Sequence, residues 1–218
     1  KQLIIWDKEA DKVVGGYRLG PGDEIVDAFG KKGFYIHSLF KIKKDFKPYL
    51  KQSLELGRSY IVPEYQRKRL PLFLLWKGIL HYLLANPQYR YLIGPMSISK
   101  HYSNVSRHLI VEFVKRHYYD EDLAKFIRAR KQFRYKPKDI DTKLLIDDFD
   151  GQLKRLDNFI EDIEPEHFRI PVLMKKYFSQ NAKIIGFNLD PEFSDVLDGL
   201  MLLDLKNLPN ETIESLKE

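Results

Sequence analysis

The stretch from residue 54 to residue 98 constrains the fold of this chain more than any other part. Residues 54–62, Leu-Glu-Leu-Gly-Arg-Ser-Tyr-Ile-Val, read as a strand. Pro63 stops it, because proline has no N–H to give to a ladder. A loop dense in charge follows over residues 64–69. Pro71 then sits where a helix accepts proline, in its first turn. Residues 72–84 are apolar nearly all round, the pattern of a buried helix. Asn86-Pro87 ends that helix, and residues 91–98 read as a second buried strand. Strand, loop, apolar helix and strand in this order predict a layered α/β arrangement, with strands 54–62 and 91–98 splayed apart at a cleft.

The flanking sequence fits a mixed, mostly antiparallel sheet. Residues 3–6 and 13–19 form the arms of a hairpin around the turn 7–11, and Gly20-Pro21-Gly22-Asp23 ends it. Residues 23–29 read as a short helix and residues 34–40 as a strand. Residues 101–118 form an amphipathic helix with Val105, Leu109, Ile110, Phe113 and Val114 on one face. Pro171 opens a helix to about residue 178. Residues 182–189 and 199–205 read as two closing strands. The segment 119–165 has the weakest pattern: a basic stretch, 125–138, then an acidic and apolar one, 144–164. It reads as a variable insert in one domain covering residues 1–218. The chain starts with Lys1 inside a strand-like run, so a part before Lys1 is expected to be missing.

With 44% hydrophobic residues, 218 residues can bury a real core. The absence of cysteine removes thiol nucleophiles and thiolate metal sites. His101, His108 and His117 have no ligand spacing for zinc, so no metal is expected. No run is long and apolar enough to span a bilayer. The formal net charge of +6 suits an acidic protein, an anionic lipid surface or a nucleic acid as partner, and equally a solvated surface with surplus lysine.

The chemistry concentrates in the first unit. A loop between strand and helix offers backbone N–H groups at a helix N-terminus, where an anion binds readily. Here the loop carries Gln66, Arg67, Lys68 and Arg69, and clustered cations at that end of a helix are tolerable when a phosphate sits among them. Glu55 is the candidate base for an amine nucleophile, with a strand-edge structural role as the rival reading. Arg58 lies three residues on, so strict alternation sends it to the other face; a bulge at Gly57 brings the two together. Arg58 would then grip a carboxylate bidentately or hold Glu55. Backbone N–H groups near Tyr60 and Ile61 are candidates for an oxyanion site. Ser97, at the end of the second strand, is the candidate proton donor to a leaving group. Tyr102 is a second candidate beside the substrate, although packing suits it better.

The loop resembles the pyrophosphate loop of GNAT acyltransferases, Gln/Arg-x-x-Gly-x-Gly/Ala, at Gln66, but Arg69 and Pro71 replace its two small residues. Leu54-Glu55-Leu56-Gly57-Arg58-Ser59, Trp76-Lys77-Gly78-Ile79 and Gly94-Pro95-Met96-Ser97, with the tail from Pro171 to Tyr177 and the strand at 202–205, are similar to the bacterial amino-acid N-acyltransferases of ornithine-lipid and glycine-lipid synthesis. Those proteins often carry a hemolysin-like label; the Glu-x-x-Arg element also resembles the acyl-homoserine-lactone synthases. The resemblance implies a GNAT-like fold and transfer of a long (3-hydroxy)acyl group to the amine of glycine or ornithine, without a covalent enzyme intermediate. It implies an acyl-phosphopantetheine thioester as co-substrate and acyl carrier protein as partner. The implied location is the cytoplasm, with peripheral contact at an anionic membrane surface left open. A coenzyme-A-dependent acetyltransferase is the nearest rival. A nucleic-acid binder rests only on the basic, aromatic stretch 125–135, and no nucleic-acid motif accompanies it. No apolar insertion segment supports a pore-forming protein.

Overall fold

The computed structural model describes residues 1–66, 68–138 and 140–215. Its strands are β1 (Gln2–Asp7), β2 (Lys12–Pro21), β3 (Phe40–Ile42), β4 (Ser53–Ile61), β5 (Tyr91–Ile98), β6 (Ile127–Ala129), β7 (Lys183–Asp190) and β8 (Val196–Asp204). The α-helices are α1 (Gly22–Phe29), α2 (Ile36–Leu39), α3 (Lys47–Lys51), α4 (Pro63–Gln66), α5 (Arg69–Ala85), α6 (Asn104–His117), α7 (Glu121–Ala124), α8 (Thr142–Asp148), α9 (Leu153–Ile163), α10 (Val172–Phe178) and α11 (Asn210–Ser215). Six strands form one sheet in the order β1-β2-β4-β5-β8-β7, and β3 pairs with β6 in a small second sheet. Every pair in the large sheet is antiparallel except β4 with β5. This is the expected mixed, mostly antiparallel sheet.

Local chemistry sets several of these elements. The Asp7 carboxylate accepts the N–H groups of Glu9 and Ala10, each at 3.0 Å, and so closes the first hairpin. Helix α6 starts where Ser103 caps Ser106 N–H at 3.1 Å. It ends in Lys115, Arg116 and His117, cations that suit a helix C-terminus. The sheet buries both faces. On one side Leu54, Leu56, Leu92 and Met201 meet α5, α6 and α10; on the other Ile93, Leu200 and Leu202 meet Phe34, Ile36 and Phe46.

Two expectations fail. Residues 34–40 do not form a strand: Ile36–Leu39 is a helical turn, and β3 begins only at Phe40. The cause is distant in sequence, since the Glu55 carboxylate accepts the first N–H groups of that turn. Helix α5 is not buried all round either. Leu75, Trp76 and Ile79 are buried, whereas Leu70, Phe73, Leu74 and Leu84 are 39–75% exposed. The helix lies against β1 and β2 with one side only. Among the described residues no helix is long and apolar enough to cross a membrane.

Candidate active site

Strands β4 and β5 pair only at Ser53–Tyr91, Leu54–Leu92 and Glu55–Ile93. The last close approach is at Gly94, where a Cβ would stand 2.3 Å from the Leu56 carbonyl oxygen. Any side chain there would force the strands apart. Beyond it they diverge, as expected, and a cavity of about 480 Å3 opens between Leu56–Ser59 of β4 and Gly94–Ser97 of β5. Across the divergence, β4 carries a bulge against β2: Gly16 faces Tyr60, but Arg18 faces Gly57. The extra residue is taken up at Arg58, whose φ is +54°. A left-handed conformation costs an L-residue roughly 1–2 kcal/mol. Strain held at a functional strand is a reason to look there for function.

The cavity has two kinds of wall. Leu56, Met96, Leu173, Met174, Phe193 and Met201 make one side apolar. Its end is marked by Tyr17 and Tyr177, whose buried hydroxyls meet at 2.8 Å. The opposite side carries Arg18, Tyr35, Arg58, Ser97 and Asp198. The guanidinium groups of Arg18 and Arg58 lie 5.5 and 5.7 Å from the centre of the Tyr35 ring. Burial, then the charges of Asp190 and Asp198, push the Tyr35 hydroxyl up, while the two arginines oppose them. Such a lining has both apolar surface and charged groups to offer a ligand.

The structure separates Glu55 from Arg58. Glu55 is 2% exposed and accepts N–H groups from Tyr35 at 3.1 Å and Ile36 at 2.9 Å, one on each oxygen. Its ion-pair partner is Arg18, at 3.5 Å. Burial raises its pKa, and the two backbone donors and Arg18 pull it back. Arg58 is exposed, and it leans over Tyr35. The bulge expected at Gly57 is present, yet it turns Arg58 toward the cavity rather than toward Glu55.

Ser97 does line the cavity, and its hydroxyl donates to Asp198 at 2.5 Å. Asp198 is a site residue that the sequence does not announce. It lies in β8 directly opposite Ser97 and is 2% exposed. Burial first, then the neighbouring Asp190, pushes its carboxyl up to about 6 against the Ser97 hydrogen bond. Tyr102 is directed elsewhere: its hydroxyl donates to the Arg169 carbonyl and its ring packs on Phe168 at 5.1 Å.

Comparison with known proteins fits this geometry. The model of the acetyltransferase (GNAT) domain matches residues 1–76. A glycine N(alpha)-acyltransferase of Phocaeicola vulgatus is 29% identical, with 95% of this chain and 66% of that protein covered. One of Bacteroides thetaiotaomicron is also 29% identical, over 90% of this chain and 60% of that protein. The chain is thus similar to glycine N(alpha)-acyltransferases along most of its length and to the GNAT acetyltransferase domain over residues 1–76. It spans less than two thirds of the length of these curated relatives. A solved aminoglycoside 6'-N-acetyltransferase complexed with coenzyme A aligns over 96% of this chain and 73% of that one, at 12% identity and a TM-score of 0.41.

The turn between β4 and α5 carries the loop that the sequence resemblance assigns to the donor's phosphates. Here that turn is partly occupied by the protein itself. Gln66 donates its side-chain amide to the Ile61 carbonyl at 2.8 Å, and Lys68 lies 4.7 Å over the Tyr65 ring. Arg67 lies outside the described residues, as does the side chain of Arg69. Tyr60 is half exposed and Ile61 packs against the core; the cavity is lined instead by Gly57, Arg58 and Ser59. The aromatic residues of the stretch 125–135 are engaged internally. Phe126 packs near Phe46 and Tyr49, and Phe133 lies under Arg107. They are not a free stacking platform for bases.

Proposed function

We propose that this chain carries the transferase site of an enzyme that moves a long acyl group from a phosphopantetheine thioester to the amine of a small amino acid, glycine foremost. The observation that carries the reading is the two-walled cleft at the β4–β5 divergence. Its apolar wall suits an acyl chain, and its polar wall presents Arg58 to a carboxylate and Asp198 to an amine. The curated relatives are named for glycine, which supports the smaller acceptor over ornithine.

The reaction is direct. The amine lone pair attacks the thioester carbonyl, an N–C bond forms, and the carbonyl π pair moves to oxygen. The nitrogen gives up a proton, the oxyanion collapses, and the C–S bond breaks to release a thiolate that takes a proton. Arg58 holds the acceptor carboxylate with its planar fork. Backbone N–H groups on the diverging part of β4 that lines the cavity, Gly57 to Ser59, serve the oxyanion in place of those near Tyr60 and Ile61. Ser97 stands at the leaving sulfur. Glu55 does not serve as base in this scheme, because both its oxygens are committed to the start of α2 and it is absent from the cavity wall.

Acyl carrier protein is the favoured donor over coenzyme A. The fold joins two basic segments that are far apart in sequence, since β3 and β6 pair with Lys41 opposite Arg128, both exposed. Like charges set directly opposite cost stability in an isolated sheet, and an acidic partner removes that cost. Turnover with acyl carrier protein and acyl-CoA, each with glycine at rising salt, tests this. Carrier-protein turnover should be faster and should fall with salt. Faster acyl-CoA turnover with no salt effect would leave coenzyme A as the donor.

A further inference from the structure

We propose that Asp198 is the residue that takes the proton from the acceptor amine and passes it, with Ser97, to the departing sulfur. The inference rests on the acyl-transfer reading and completes the role that Glu55 cannot fill. It comes from position. Asp198 lines the cavity from β8, directly opposite Ser97 near the end of β5. One oxygen accepts the Ser97 hydroxyl, and the other has no partner among the hydrogen bonds of the described residues. A carboxylate with a free oxygen on a cavity wall can receive a proton; one with both oxygens on backbone N–H groups cannot do so without losing them.

The surroundings suit the task. Asp190 approaches from β7, Tyr35 from the start of α2, and Arg18 and Arg58 from β2 and β4 around the Tyr35 ring. The acidic pair attracts an ammonium group while the arginines attract the carboxylate of the same small molecule. The ammonium first gives one proton to solvent, which frees its lone pair; as the resulting amine attacks, a second N–H bond breaks and that proton moves to the Asp198 carboxylate. As the C–S bond breaks, the Ser97 hydroxyl gives its proton to sulfur and recovers one from Asp198. The carboxylate ends as it began, and the products are the amide and the free thiol. Burial and Asp190 hold the Asp198 carboxyl at about 6, so it is ionised at neutral pH and still a competent acid toward a thiolate.

The test is the pH profile of kcat at saturating glycine with an acyl thioester donor, for the wild type, Asp198→Asn, Asp198→Glu and Ser97→Ala. The wild type should lose activity through an acid limb near pH 6. Asp198→Asn should lose about a hundredfold or more in kcat together with that limb, with the KM for glycine changed far less. Asp198→Glu should restore part of the rate. Ser97→Ala removes the hydrogen bond that holds the Asp198 carboxyl down, so its limb should move to higher pH. A circular dichroism spectrum establishes that each variant is folded; if Asp198→Asn does not fold, the position of the Ser97→Ala limb decides. Asp198→Asn with wild-type kcat, or an acid limb that survives it or stays fixed in Ser97→Ala, overturns the assignment. A wild type that forms no amide with any amino acid overturns the acyl-transfer reading itself.

Discussion

Glu55 and Asp198 are both 2% exposed carboxylates on central strands of the same sheet, yet they do opposite things. Glu55 sits where β4 and β5 still pair, and it spends its oxygens on the N–H groups of Tyr35 and Ile36 and its charge on Arg18. Asp198 borders the stretch where β4 and β5 have parted, with a serine hydroxyl for company and a second acid nearby. Burial raises both pKa values. The two carboxylates therefore differ in the hydrogen-bonding capacity left on the cleft side, which is the basis of the proposal for Asp198. One holds α2 against the sheet; the other is left with work to do.

Truncating the two acids should break the comparison most visibly. Glu55→Ala would leave two backbone donors and the Arg18 guanidinium, already short of hydrogen bonds, without a partner. A loss of about 3 kcal/mol in urea unfolding is expected, with kcat per folded molecule far less affected. Asp198→Asn should act the other way on stability. Its folded pKa is raised to about 6 from 3.8, so the protonated form's advantage is full below 3.8 and gone once the pH has risen through 6. The amide removes that cost. Asp198→Asn should be more stable than the wild type at pH 7, by at most about 3 kcal/mol, and no more stable below pH 4. Equal effects of the two substitutions on stability and rate would erase the distinction.

Smaller effects sharpen the picture around Arg58. Arg58→Lys keeps the charge and loses the fork, so roughly a tenfold rise in the KM for the amino acid is expected, with kcat nearly unchanged. A fall in kcat alone would place Arg58 with the reacting atoms instead. Arg58→Gly should relieve the left-handed backbone at φ +54° and raise stability by about 1 kcal/mol in thermal unfolding, while acceptor affinity falls. Stability unchanged or lowered would mean that the bulge is held by the Arg58 side chain over Tyr35.

Much of this fold was legible in the sequence, because hairpin, strand, apolar helix and strand each carry local signals. The divergence of β4 and β5 and the extra residue near Gly57 also followed from that pattern. The misses share one cause, a partner distant in the chain. The turn at 36–39 reads as extended until Glu55, about twenty residues on, supplies its cap. The bulge was expected to bring Arg58 to Glu55, but its geometry is set by pairing with β2 and it turns Arg58 toward the cavity. The exposed side of α5 could not be seen, since an all-apolar helix does not say how many of its faces find a neighbour. Asp198 was invisible for the same reason: an Asp-Gly pair is a turn signal in isolation, and its partner Ser97 lies 101 residues away.

The most direct measurement pairs two quantities in one reaction: free thiol released from a long-chain acyl thioester, and N-acylglycine formed, by mass spectrometry. Thiol release should require glycine and should equal the amide formed, one for one. Thiol released at the same rate without an amino acid, or released with no amide beside it, would contradict acyl transfer to an amine at this cleft.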